Sequence, residues 1–186
     1  MEMALVVPSA EYLASYARAL AQGWSPDNLR PQTALDELER IKEDPARFLA
    51  EQDDRDASAP PVTLPDGSIM RRLPGYKRWM WDGEFCGAIG FRWQPGTAVL
   101  PPHVLGHIGF SVVPWKRRRG YATRALALLL PSIKEEGLPH VELTTDPENI
   151  GSQKVITANG GVLVELFTRP AVFGGAKALR FRILLA

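Results

Sequence analysis

The sequence predicts an α/β fold of the α+β kind, with short strands interleaved with amphipathic helices. Three observations predict it. Residues 107–136 read as a strand, a basic glycine-containing turn and a leucine-rich helix with no gap between them. Asp82-Gly83-Glu84 lies between two β-rich runs, the signature of a tight hairpin. The remaining periodicity gives the order β, α, α, β, β, β, α, β, α, β, β. A chain of 186 residues, 45% hydrophobic and 23% charged, can bury a substantial core, and a single domain over 1–186 is expected.

Leu5 to Val7 reads as a first strand ended by Pro8, with Ser9 as N-cap of a helix from Ala10 to about Gln22. Tyr12, Leu13, Tyr16 and Leu20 share one face of that helix. A second helix opens near Pro31 or Thr33, with Leu35, Leu38 and Ile41 expected inward, and Pro45 interrupts it before a last turn through Phe48 and Leu49. Residues 51–61 are polar and proline-rich, so they are expected as a mobile surface insertion.

The hairpin pairs Lys77–Trp81 with Phe85–Trp93. Gln94 to Val104 holds three prolines and a glycine and reads as a connection into the next strand. Residues 107–113 form that strand, because they are mostly β-branched, aromatic or apolar and Pro114 cannot donate to a ladder. The helix after the turn spans about Ala122 to Glu136, with a kink expected at Pro131 and Gly137 as its cap. His140–Thr145 is a strand, Asn149–Asn159 a short helix stopped by Gly160-Gly161, and Val162–Phe167 and Leu179–Leu185 the final strands.

Chemistry concentrates at the turn. A helix start presents unpaired N–H groups and a positive dipole end, so a glycine-containing turn feeding it can wrap a phosphate with main-chain donors. Arg117, Arg118 and Arg119 add positive charge, and Gly120 lets the backbone approach the anion. The bland alternative is a solvated basic turn with an ordinary glycine.

The segment Arg117-x-x-Gly120-x-Ala122, between strand and helix, resembles the pyrophosphate loop of the GNAT superfamily, the acyl-CoA-dependent N-acyltransferases. The run Val141 to Ser152 resembles the family's next strand and its Asn-x-x-Ser helix start. Together the two motifs cover residues 107–161, and the likeness extends to a group of bacterial acetyltransferases of unassigned substrate. The resemblance implies a mixed, mostly antiparallel central sheet flanked by helices and splayed between strands 107–113 and 140–145. It also implies transfer of an acetyl group from acetyl-CoA to a primary amine, of a small molecule or a protein, by direct attack in a ternary complex.

Under that resemblance, acetyl-CoA is the co-substrate. Its pyrophosphate is expected against the amides of Arg117, Arg118, Arg119, Gly120, Tyr121, Ala122 and Thr123, with Asn149 and Ser152 facing the coenzyme. Ser111, Val112 and Val113 are expected to pair with the pantetheine arm and to polarise the thioester carbonyl, Ser111 through its amide rather than its hydroxyl. His107 is the candidate general base, since an imidazole can take a proton near neutrality. The alternatives are a hydrogen-bonded strand-end histidine and, for Asn149, a plain helix cap. His103 stands four residues before His107 without a third ligand, so no metal is expected. The tyrosine often found seven residues after the asparagine is replaced by Ile156, which removes the usual acid for the leaving thiolate. That departure supports the alternative of a non-catalytic acyl-CoA sensor or scaffold.

A net charge of +1 and a pI near 7.9 exclude a strong general field toward nucleic acid or an anionic membrane. The lone Cys86 cannot form an intrachain disulfide and is expected as a buried structural thiol. The start of the sequence lacks a basic and apolar leader, and the longest apolar helical run, Ala125 to Leu130, is far below the roughly 20 residues that span a bilayer. A cytoplasmic protein is expected, with an amine-bearing partner, no nucleic acid, no membrane, and a possible homodimer. Trp79, Trp81 and Trp93 are expected as packing residues, Glu84 as a solvated turn residue, and the loops at 51–75 and 94–106 as the walls of the acceptor site.

Overall fold

In the computed structural model, residues 2–27 and 30–185 are described. In chain order they form β1 (Ala4–Val6), α1 (Ala10–Ala21), α2 (Thr33–Glu43), α3 (Pro45–Ala50), β2 (Asp53–Asp54), β3 (Val62–Thr63), β4 (Ile69–Met70), β5 (Gly75–Trp81), β6 (Phe85–Arg92), β7 (Ile108–Val112), α4 (Tyr121–Lys134), β8 (His140–Thr145), α5 (Ile150–Ala158), β9 (Val162–Thr168) and β10 (Lys177–Leu184). The strands make two principal antiparallel sheets. One runs β1-β5-β6-β7 with β2 also on β5; the other runs β8-β10-β9. The central sheet is therefore broken between β7 and β8, the expected splay.

Alternation along β5 and β6 explains the layers. Tyr76 and Met80 of β5, with Ile89 and Phe91 of β6, face a core filled by Leu126, Leu129 and Ile133 of α4 and by Leu143 and Phe181 of the second sheet. Trp79, Phe85 and Ala88 face the opposite way, against Tyr16, Leu20, Ala34 and Phe48 of the first three helices. The Tyr16 ring stacks on Trp79 at 4.3 Å between centroids. The expected packing role thus holds for Trp79 and Trp93, both buried. Pro131 lies inside α4, and Gly137 follows it with a left-handed φ of 72°.

Three expectations need correction. Leu35 is exposed, because the inward stripe of α2 is formed by Ala34, Glu37, Leu38 and Ile41. Glu37 is buried because the Tyr16 hydroxyl and Lys77 both reach its carboxylate. The stretch 51–61 is not simply a surface loop: Asp53 and Asp54 pair with Tyr76 and Gly75, Gln52 is buried, and the Asp54 carboxylate accepts from the Ser58 and Ala59 amides. Glu84 is not merely solvated, since its carboxylate sits 2.7 Å from Lys116 Nζ. No helix among the described residues is long and apolar enough to cross a membrane.

Candidate active site

The two halves of the sheet meet at one point. The His107 N–H donates to the Glu142 carbonyl at 2.7 Å, and the Glu142 N–H donates to His107 Nδ1 at 2.9 Å. The imidazole thus substitutes for the main-chain carbonyl that a regular ladder would supply. From this vertex β7 and β8 diverge and exchange no further ladder pairs among the described residues.

Register decides which β7 groups face the opening. The Arg92 N–H donates to the His107 carbonyl and the Val113 N–H to the Cys86 carbonyl, so odd-numbered residues of β7 bond to β6. Gly109, Ser111 and Val113 are therefore turned away from the splay. Ile108, Phe110 and Val112 turn their N–H and C=O groups toward it, and Arg117 Nε donates to the Val112 carbonyl at 3.2 Å. Of the three residues expected to meet the pantetheine arm, only Val112 directs its main chain into the opening. The Phe110 main chain faces the opening as well, a parity visible only once β6 and β7 are in register. Across the gap, the Glu142 bonds to His107 set the parity of β8, which turns the Thr144 main chain inward.

The Ser111 hydroxyl accepts from Trp24 Nε1 at 3.0 Å, linking β7 to the segment after α1. His107 is fully buried. Burial, partly offset by the nearby Glu142 carboxylate, pushes its pKa down to about 4. With Nδ1 accepting an amide proton, Nε2 carries the imidazole hydrogen, and that atom has no hydrogen-bond partner among the described residues. A sealed, neutral ring whose only basic nitrogen is already engaged is poorly placed to take a proton from an amine. The geometry matches the hydrogen-bonded strand-end alternative.

The turn after β7 runs through a 3-10 segment, Pro114–Lys116, into Arg117–Arg119, which are exposed. Arg118 has φ 62° and Gly120 φ 75°. Gly120 is the N-cap of α4 and supplies no side-chain cap, and the first helical bond runs from the Arg124 N–H to the Gly120 carbonyl. The amides of Tyr121, Ala122 and Thr123 lie ahead of that bond and face outward as donors. The expected loop residues are thus brought together at one helix terminus.

A buried charge cluster fixes this turn. Lys116 Nζ lies 3.0 Å from both Asp82 oxygens, and the Tyr121 hydroxyl donates to Asp82 Oδ2 at 2.5 Å. Burial alone would raise the Asp82 carboxyl, but the hydrogen bonds from Tyr121 and Lys116 prevail and hold it at about 2. Burial likewise disfavours the Lys116 ammonium, yet Glu84 and Asp82 lift it to about 12. Burial and the neighbouring Asp82 push the Cys86 thiol up to about 12, consistent with an inert structural thiol. The hairpin turn 82–84 therefore clamps the entrance of α4. Sequence reasoning missed Asp82, which looked like an ordinary turn residue, and Lys116, which directly precedes the three arginines.

Asn149 caps α5, its Oδ1 accepting from the Ser152 N–H at 3.0 Å. That is the bond of a plain helix cap. Ile156 is buried in the core, so its side chain has no access to the opening. Asn159 Nδ2 donates to the Thr123 carbonyl at 3.2 Å, bracing the first turn of α4 against α5.

A family model described as an acetyltransferase (GNAT) domain matches residues 19–162. No curated protein matches the chain by sequence. Among solved structures, the microcin C7 self-immunity acetyltransferase MccE in complex with acetyl-CoA and AMP is 12% identical, with a TM-score of 0.65 over 98% of this chain and 92% of its own. RimL, a ribosomal L7/L12 α-N-protein acetyltransferase in complex with coenzyme A, is 11% identical, with a TM-score of 0.63 over 98% and 93%. RimJ of Mycobacterium smegmatis, in complex with a CoA disulfide, is 20% identical, with a TM-score of 0.63 over 98% and 81%. These likenesses carry the fold, and the domain match covers most of the sequence. The chain belongs to the GNAT acetyltransferase family and is an acyltransferase.

Proposed function

We propose that the protein transfers an acetyl group from acetyl-CoA to a primary amine by direct attack in a ternary complex. The observation that carries this reading is the continuous line of main-chain groups from the outward edge of β7, at Phe110 and Val112, to the uncapped start of α4 at Gly120. An extended pantetheine arm can pair with that edge as a missing strand would. The pyrophosphate then meets the amides of residues 119–123, with Arg118 and Arg119 supplying charge. Two of the similar structures hold acetyl-CoA or coenzyme A, which supports the same co-substrate here.

In the reaction the amine nitrogen bonds to the thioester carbon, the carbonyl becomes an oxyanion held by N–H groups of the β7 edge, and the C–S bond then breaks. The attacking amine gives its proton to water at the mouth of the opening, and the leaving thiolate takes one from water or Ser152. His107 and Glu142 hold the vertex from which both strands are aimed, and His107 acts there as a positioning residue.

The test is titration of acetyl-CoA into the wild type and Gly120→Glu, followed by thiol release with a panel of amines. Affinity should fall on the order of 100-fold in the variant, which adds a negative charge to the turn. Wild-type protein that ignores acetyl-CoA, or binds it tightly and turns over no amine, would overturn the reading; the second outcome is that of an acyl-CoA sensor.

A further inference from the structure

A depression lies between the β3–β4 hairpin, the 94–106 connection and residues 170–172, two of the three being loops expected from the sequence to wall the acceptor site. It has a volume of about 430 Å³, and its apolar wall is formed by Leu64, Met70, Pro102, Pro170 and Val172. Each contributing segment is tied to the strands or loops that frame the splay. Pro102 belongs to the connection that ends at the His107 vertex. Pro170 and Val172 follow Arg169, which holds the Asp146 carboxylate at 2.5 Å, and Asp146 is the first residue after β8. The β3–β4 hairpin carrying Leu64 and Met70 is attached to Arg30, whose guanidinium donates to the Thr63 carbonyl at 3.0 Å. Arg30 lies in the connection from α1, where Trp24 bonds to Ser111.

The polar groups of this cleft are few. They are Asp66, Ser68 and His103. The Asp66 carboxylate, ionised at neutral pH and fixed by hydrogen bonds from the Ser68 hydroxyl and amide, gives the rim a negative charge. A mostly apolar cleft of this size with an anionic rim suits a ligand that is apolar in its body and cationic at one end. An amine in its protonated resting form is such a cation.

We infer that this cleft receives the acceptor, and that the acceptor is an amine with an apolar side chain beside its nitrogen. The inference rests on the acetyl-transfer reading and names its substrate class. The Asp66 carboxylate draws in the ammonium form, and the apolar wall holds the neighbouring side chain while the nitrogen reaches the β7 edge. Selection then comes from the area of side chain buried in the cleft, for which a few methylene groups are decisive.

The experiment compares leucinamide, glycinamide and asparaginamide, and a peptide that begins with leucine, as acceptors for the wild type, Val172→Arg and Met70→Glu. Acetyl-CoA affinity is titrated in parallel. The wild type is expected to prefer leucinamide or the leucine-initial peptide over glycinamide by about tenfold or more in kcat/KM. The peptide and the free amide compete in one assay, so their ratio tells whether the acceptor is a chain terminus or a small molecule. Both variants should lose the preference while binding acetyl-CoA within about twofold of the wild type. Equal rates across the panel, or a preference intact in both variants, would overturn the inference. Failure of the wild type to bind acetyl-CoA, or binding with no turnover of any amine, would instead strike the acetyl-transfer reading itself.

Discussion

On the coenzyme side of the β7–β8 opening the surface is main chain: the Phe110 and Val112 edge and the amides at the start of α4. In the cleft between the β3–β4 hairpin and residues 170–172, proposed above for the acceptor, it is side chains carried on loops. The turn proposed for the coenzyme is clamped by Asp82, Lys116 and Tyr121, whereas the walls proposed for the acceptor are joined through Arg30, Arg169 and Trp24. Main-chain recognition tolerates almost any sequence that keeps the backbone shape. Recognition by loop side chains changes with each substitution, so the coenzyme can stay fixed while the acceptor varies.

The largest effect should come from the clamp. Asp82→Ala leaves Lys116 buried with only the half-exposed Glu84, and should cost about 3 kcal/mol of stability in urea denaturation. It should also weaken acetyl-CoA binding more than it raises the KM of the amine; equal effects on both would show that the two sides are not independent. The pH dependence has a fixed sign. Asp82 is held at about 2, below its unfolded value, so its contribution is complete above the ordinary carboxylate range and is lost as pH falls toward 2. The alanine variant should show a flatter acid limb.

A smaller effect is expected at the vertex. His107→Ala removes the acceptor for the Glu142 amide and should cost about 2 kcal/mol. His107→Asn, whose side-chain oxygen can take the place of Nδ1, should recover part of that loss and retain acetyl transfer. A proton-accepting His107 would make the opposite result, with Asn as inactive as Ala. Because burial holds the His107 pKa down at about 4, its contribution to stability is complete above about 6.5 and declines as pH falls from there toward 4. Wild-type protein should show that slope in melting temperature and the alanine variant should not.

The smallest effect belongs to Arg118. Its left-handed φ of 62° is strained for a side chain. Arg118→Gly should therefore raise stability by about 0.5–1 kcal/mol. The same change should lower acetyl-CoA affinity a few-fold at low salt and leave little difference at high salt. An affinity loss independent of salt would place the guanidinium in a direct, specific contact instead of a screened field.

Much of the coenzyme side was legible because its signals are local. Pro114, Gly120 and the leucines after them mark a strand end, a left-handed turn and a helix within fifteen residues. The acceptor side was legible only as loops. Strands of two residues, such as β3 and β4, carry too little periodicity to announce a hairpin. The inward face of α2 was misread because Glu37 looks like a surface residue until Tyr16 and Lys77 are placed beside it. His107 looked available for proton transfer because burial belongs to the tertiary structure, and nothing in its neighbours along the chain reports that the Glu142 amide would engage its Nδ1. Ser111 and Val113 differ from Val112 only by register, a property of the pair β6–β7 and of neither strand alone.

The break between β7 and β8 also bears on solubility. Unpaired strand edges invite pairing with another chain and are ordinarily blunted by charge, proline or a covering loop. Here two such edges face each other inside one molecule. The vertex at His107 and Glu142 closes one end, and the clamped turn and Arg117 stand near the other. The β9 edge of the second sheet, by contrast, lies at the outside of the molecule with Val162, Leu163, Val164 and Leu166 exposed. The break thus turns two strand edges toward each other inside the fold, where they can serve a ligand, and leaves β9 as the edge open to another chain.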